Sequence, residues 1–216
     1  MLGLDRSPLS FPSQTAYRYN KFFSYCLPSS PNHVGHLSLG RLEGYLRSVK
    51  YTPIPPAYKN SPFYGIEITG ISFNGKNLTI PPSVFSNAGA IIDSGTVVSR
   101  LPPDAYPAFR HAFRESMSGY RWIPDGFGIL DSCYDIGNQK NFPVPAVSFF
   151  LGGDVEVKLH PSGVIYAPDE STVCLAFAEN HNQFEEAIFG NIQQKQLEVV
   201  YDGLDQRVGF VPWGCN

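Results

Sequence analysis

The sequence predicts an all-β protein with a few short helices. Charged residues make up only 16% of its 216 residues, against the roughly 25% typical of soluble domains. Aromatics reach 14%, with 20 Gly and 19 Pro, a composition suited to short strands joined by many turns. Several stretches alternate polar and apolar residues, and Asn74-Gly75 stands between two of them as a hairpin turn does. A helical bundle and a disordered chain are both disfavoured, because 43% of the residues are hydrophobic and can bury a core.

In chain order, residues 9–19, after Ser7-Pro8, suit a short helix. Residues 22–27 have strand composition, 28–33 are turn-like, and 35–40 alternate as a half-buried strand does. Residues 41–49 carry no clear pattern. Residues 51–62 hold four prolines and are expected to form an extended connector. Residues 64–73 are the clearest alternating strand, and 78–80 return after the Asn74-Gly75 turn. Pro102-Pro103-Asp104 opens the best helix, whose face of Tyr106, Phe109, Phe113 and Met117 belongs to the core. A loop over 119–128 and a short strand over 133–135 follow. Residues 147–151 and 155–159 flank Gly152-Gly153-Asp154 as a hairpin. Residues 173–178 read as a strand and 179–186 as a polar loop. Residues 197–202 and 207–211 form two last strands about a turn at Gly203.

One stretch organises the rest. Ala90-Ile91-Ile92 is an apolar, β-branched run that delivers a single carboxylate, Asp93. Ser94, Gly95 and Thr96 follow at once, then Val97 and Val98. Gly95 permits a tight turn directly after the acid. The pattern is strand, acid on a turn, strand, which lifts one carboxylate out of a sheet among hydroxyls and backbone N–H groups.

Composition excludes several other functions. Sixteen Lys and Arg against 19 Asp and Glu give a net charge of −3, and no long basic run offers a nucleic-acid surface. No stretch approaches the ~20 apolar residues of a membrane-spanning helix. His33, His36, His111, His160 and His181 are scattered without metal-ligand spacing, and no complete glycine-rich phosphate loop occurs, so neither metal nor cofactor is expected. Ser38 lies in Gly-His-Leu-Ser-Leu-Gly, which is not a nucleophile elbow. Cys26, Cys133, Cys174 and Cys215 lack zinc-site spacing; their even number allows two disulfides in three connectivities, or four buried thiols. Asn77-Leu78-Thr79 is a glycosylation sequon beside the expected turn. Disulfides and a glycan both require a secretory route, yet residues 1–6 show no signal-peptide pattern. A missing N-terminal portion would reconcile the two.

Asp93-Ser94-Gly95-Thr96 resembles the Asp-Ser/Thr-Gly-Ser/Thr signature of pepsin-like aspartic proteases, and the wider context resembles their plant, nepenthesin-like branch. Further likeness lies in Phe23-Ser24-Tyr25-Cys26-Leu27, in Gly190-Asn191-Ile192-Gln193-Gln194, and in Tyr201-Asp202 with Arg207-Val208-Gly209-Phe210. Met1-Leu2-Gly3 and Ile188-Phe189-Gly190 also echo each other as the apolar-apolar-Gly motif that threads beside the acid loop in each lobe of that family. The resemblance spans essentially the whole chain. It implies a pepsin-like fold with a complete C-terminal lobe over 62–216, carrying Asp93, and a remnant of the N-terminal lobe with its connector over 1–61. It pairs Cys133 with Cys174 and Cys26 with Cys215. It implies that Ser94 hydrogen-bonds the carboxylate, Gly95 lends its N–H and Thr96 braces two loops. It also implies an extracellular or vacuolar setting and a polypeptide substrate.

Acid hydrolysis of a peptide by this family needs two carboxylates sharing one proton, one activating water and the other polarising the carbonyl. The chain has one such signature; no Asp-Thr-Gly or second Asp-Ser-Gly occurs in it. Asp5, Asp104 and Asp131 lack the strand–acid–glycine setting and are expected to solvate or cap. Two copies could each supply Asp93, but residues 1 to about 50 are expected to obstruct such a homodimeric site. The expectation is therefore an aspartic endopeptidase family member that is inactive alone. The alternatives are a non-catalytic, inhibitor-like binding protein of the same fold and a truncated gene-model fragment.

Overall fold

A computed structural model describes residues 2–30, 32–41, 48–137, 139 and 142–215. Met1, the first residue of the Met1-Leu2-Gly3 motif, lies outside the described residues, as does Asn216. Two short helices, α1 (Phe11–Gln14) and α2 (Ala16–Tyr19), lead into β1 (Phe22–Cys26), β2 (His36–Leu39) and β3 (Lys50–Pro53). Next come β4 (Tyr64–Gly65), β5 (Ile68–Phe73), β6 (Lys76–Asn77), α3 (Ser83–Ala88), β7 (Ala90–Ile92), β8 (Ser99–Leu101) and α4 (Tyr106–Ser116). The chain continues through β9 (Arg121–Ile123), β10 (Cys133–Asp135), β11 (Val147–Leu151), β12 (Val155–Lys158), β13 (Ile165–Tyr166) and β14 (Thr172–Leu175). It ends with β15 (Phe177–Glu179), β16 (Ala187–Phe189), β17 (Leu197–Asp202) and β18 (Arg207–Pro212).

These strands form four sheets, in the orders β2-β1-β17-β18-β3, β13-β14-β10-β9, β12-β11-β5-β6 and β15-β8-β16-β7-β4. In the first, β1 and β17 are buried at every residue, so both faces are covered. It joins strands from residues 22–53 to strands from 197–212. The Asn74-Gly75 turn has φ of +49° and +78°, the left-handed pair that a two-residue hairpin needs. Helix α4 follows two prolines and lays Tyr106, Phe109, Phe113 and Met117 into the core. There Phe109 meets Phe177 and Phe73 edge-to-face at 4.7 and 6.0 Å. Cys133 faces Cys174 across β10 and β14 and is bonded to it; Cys26 on β1 is bonded to Cys215, 189 residues away.

Several local readings differ from this arrangement. The proline-rich stretch is not one extended connector: β3 pairs with β18, and a 3-10 turn over Pro56–Tyr58 follows. Pro53 is tolerated because β3 is a sheet edge, where a missing N–H breaks no ladder. The alternating run 64–73 is two strands in two sheets. β4 pairs with β7 and β5 with β11, while Ile66 donates to Ala90 and Glu67 accepts from Gly152 between them. Alternation marks faces, not partners, so such a switch is invisible to it. Residues 173–178 split in the same way at Ala176 into β14 and β15. The strand after Asp93 begins at Ser99, and Val97 is exposed. The loop over 119–128 contains β9, which pairs with β10. The helix over 9–19 is interrupted at Thr15, and neither α3 nor β13 left a sequence signal strong enough to read.

Candidate active site

Strand β7 carries Asp93 to the end of a parallel pair. β7 runs beside β16, with Ile92 opposite Phe189, and the Asp93 N–H donates to the Phe189 carbonyl at 3.1 Å. The chain then turns on its own side chain. Gly95 N–H donates to Asp93 Oδ1 at 2.8 Å and the Thr96 hydroxyl donates to Oδ2 at 2.7 Å. These are the second and third residues after the acid, the reach of an Asx turn. Ser94, one residue on, is exposed, and among the described residues its hydroxyl makes no hydrogen bond to the carboxylate. Thr96 occupies the place that the resemblance gave to Ser94. Both carboxylate oxygens thus have one donor each.

The loop is braced from below. Asn191 donates from its backbone to the Thr96 carbonyl at 2.7 Å and from its side chain to the Ser94 carbonyl at 3.1 Å, and Ile192 N–H reaches the Val97 carbonyl. Gly190 lies so close to this loop that a Cβ would be 2.8 Å from the Val98 carbonyl carbon and 2.9 Å from the Thr96 oxygen. That approach gives the Ile188-Phe189-Gly190 motif its physical meaning. Gly3, its echo, has no such neighbour within 4 Å. The Gln193 side chain, fully buried, accepts from Ser99 N–H and the Ser99 hydroxyl and donates to the Gly163 and Ala176 carbonyls.

A cleft of about 400 Å³ opens beside Asp93, Ser94 and Gly95. Leu2, Leu4, Phe63 and the rings of Phe23, Tyr25, Tyr64 and Tyr201 line it. Tyr25 donates to Gln194 Oε1, and its oxygen lies 2.9 Å from the Tyr201 hydroxyl. Gln194 in turn donates to the Phe189 carbonyl at 2.9 Å, the oxygen that also receives Asp93 N–H. Burial pushes the phenols of Tyr25, Tyr64 and Tyr201 well above their ordinary range, so all three stay neutral donors. Tyr25, Gln193 and Gln194 belong to the stretches that carry the resemblance, which assigned them no role. Two adjacent glutamines after an apolar-apolar-Gly strand are the signal that marks a buried amide network.

The other acids lie differently. Asp5 borders the same cleft, but its Oδ1 accepts from Ser7 N–H and the Ser7 hydroxyl, a turn of its own. Asp131 accepts from Tyr106, Arg110 and Ser132. Asp104 is exposed. Among the described residues no group of three or more His, Cys, Asp and Glu is arranged to hold a metal ion. No described helix is long and apolar enough to cross a membrane. Asn77 is exposed on β6 and does not line the cleft.

Comparison with known proteins finds relatives along the whole chain. A family model described as "Xylanase inhibitor C-terminal" matches residues 63–212, and "Xylanase inhibitor N-terminal" matches residues 1–41. An aspartyl protease family protein of Arabidopsis thaliana is 51% identical over 216 residues, covering all of this chain and 45% of that protein. Nepenthesin-2 of Nepenthes gracilis is 33% identical over 224 residues, covering all of this chain and 50% of that protein. The chain spans about half the length of the curated relatives it matches. The crystal structure of edgp superposes with a TM-score of 0.83 at 20% identity, over 98% of this chain and 59% of that one. Basic 7S globulin from soybean gives 0.77 at 20% identity, over 97% and 56%, and these two likenesses speak to the fold. The acid turn on paired strands, the braced glycine beneath it and the sequence identity along the whole chain place this protein in the pepsin-like aspartic protease family, on its plant, nepenthesin-like branch.

Proposed function

We propose that this chain supplies one half of an aspartic endopeptidase centre, with Asp93 as one of two carboxylates that hydrolyse a peptide bond at acid pH. The observation that supports this is the setting of Asp93: both its oxygens receive a donor, its backbone is tied to β16, and it borders an apolar cleft. The donors would hold Asp93 in place while it shares a proton with a second carboxylate. Activity then requires a second aspartate facing Asp93; Asp135 closes a similar turn on Gly137 N–H, but it pairs with Arg121 and does not line the Asp93 cleft. The division at residues 61 and 62, with Asp93 in the C-terminal lobe, belongs to the same reading. So does an extracellular or vacuolar setting, which the two disulfides suit because they persist in oxidising compartments.

The test is cleavage of denatured globin near about pH 4, where a carboxylate pair can hold one proton. The folded chain is assayed alone, and again with a first-lobe segment bearing Asp-Thr-Gly fused ahead of it. The expected result is no cleavage alone, and cleavage by the fusion that disappears in Asp93→Asn and with a transition-state-mimicking inhibitor. Cleavage by the chain alone with the same two sensitivities would mean that two copies bring two Asp93 residues together, and would overturn the half-centre. An inert fusion that is folded would favour the second reading, a binding protein of the same fold. That reading is favoured by the single acid signature and by family models named for inhibitors.

A further inference from the structure

We propose that Asn77 carries an N-linked oligosaccharide on the open edge of the β12-β11-β5-β6 sheet. Asn77-Leu78-Thr79 is the one Asn-x-Ser/Thr sequence in the chain in which x is not proline. Several other asparagines are committed to the fold: Asn74 accepts from Ala146 N–H, Asn180 donates to the Glu185 and Glu186 carbonyls, and Asn191 braces the acid loop. Asn77 enters none of the side-chain hydrogen bonds among the described residues, and both Asn77 and Thr79 are exposed. The side chain that the modification needs is thus among those the structure leaves uncommitted.

Its place also has room for a sugar. β6 is two residues long and forms the outer strand of its sheet, pairing Asn77 with Ser72 and Lys76 with Phe73. It follows the Asn74-Gly75 turn directly, so the sequon sits at a projecting hairpin and not in a groove. An exposed strand edge is a template for pairing with another chain, and short edges and lysines are ordinary protections. Lys76 supplies one; a glycan at Asn77 adds a bulky, hydrated one. None of residues 76–80 lines the Asp93 cleft, so the sugar leaves that cleft open.

The chemistry requires a donor of the polyprenyl diphosphate oligosaccharide class. The Asn77 amide nitrogen bonds to the anomeric carbon of the sugar, the anomeric carbon–oxygen bond to the diphosphate breaks, and one amide proton is lost as the lipid diphosphate departs. No oxidation occurs. The inference stands apart from the Asp93 reading, since a binding protein and a protease would carry the glycan equally.

The whole chain is expressed in leaf cells behind a cleavable secretory leader, denatured, and run before and after peptide-N-glycosidase A. Denaturation matters because attachment precedes folding, so even an insoluble variant reports. The expected result is a mass increase of one oligosaccharide, removed by the enzyme, mapped to the Asn77 peptide, absent in Asn77→Gln and Thr79→Ala, and retained in Thr79→Ser. A translocated chain, shown by leader cleavage, that has no mass increase would overturn the proposal. So would an increase that survives both Asn77→Gln and Thr79→Ala.

Discussion

At Gly190 the fold tolerates no side chain. The atoms that a Cβ would meet below 3 Å belong to the backbones of Thr96, Val98 and Ser99, none of which can swing aside as a long side chain can. Gly190→Ala is therefore expected to destabilise the protein by about 1–3 kcal/mol, by the cost of overpacking. Thermal unfolding checks it, and an unchanged Tm would count against the close approach. Thr96 poses a different question, because its hydroxyl serves a carboxylate and not the core. Hydrogen bonds to charged groups are worth roughly 1.5–3 kcal/mol, so Thr96→Val in the two-carboxylate fusion should lower kcat/KM by about ten- to a hundredfold. Thr96→Ser should restore most of it, and equal rates in Thr96→Val and the parent would remove Thr96 from the site.

Between elements, buried amides and one ion pair decide the packing. Gln193 ties β8 to the turn at Gly163 and to Ala176 through four hydrogen bonds. Gln193→Leu keeps the bulk but strands the Ser99 N–H and two carbonyls, at about 1–3 kcal/mol for each buried group left alone. A loss of about 3 kcal/mol or more in urea unfolding is expected, and a loss below about 1 kcal/mol would contradict the network. Asp131 joins α4 to the start of β10. Desolvation pushes its pKa up, but the bonds from Tyr106, Arg110 and Ser132 outweigh it, and the carboxyl lies below its usual range. The folded state then binds this proton less readily than the unfolded chain. Its contribution to stability is present above the ordinary aspartate pKa of about 3.9 and is lost as pH falls through the lower folded value. Asp131→Asn should flatten the decline of Tm below about pH 4. A parallel decline in both proteins would show that the pair, which is partly exposed, is screened.

For the whole molecule, the two disulfides act over different distances. Cys26–Cys215 spans 189 residues and ties β1 to the C-terminal end; Cys133–Cys174 spans 41 and staples two neighbouring strands. Chain entropy assigns about 5 kcal/mol to the longer loop and about 4 kcal/mol to the shorter. Replacing Cys26 and Cys215 with Ala should thus cost more than replacing Cys133 and Cys174. Denaturant unfolding of the two double variants decides the order, and a reversed order would place the effect in local packing. The first sheet gives the same lesson in hydrogen bonds, since β1 finds its partner β17 across the length of the chain.

Local rules in the sequence determined much of this protein. They determined that Asp93 follows a buried strand and opens a turn at Gly95, that Asn74-Gly75 reverses the chain, and that Tyr106, Phe109, Phe113 and Met117 face inward. Each depends on residues within one turn or one strand of each other, where backbone sterics and side-chain period suffice. The tertiary structure alone decided that 64–73 serves two sheets, that the proline-rich stretch contains β3, and that the Thr96 hydroxyl meets the carboxylate. It alone joined Tyr25, Gln194, Tyr201 and Phe189 behind Asp93. Residue order left three cysteine pairings open, and only a resemblance had chosen the one observed. The physical reason is the same in each case. Partners are selected by the free energy of packing and of satisfying buried polar groups together, and no local pattern records which surface will be there.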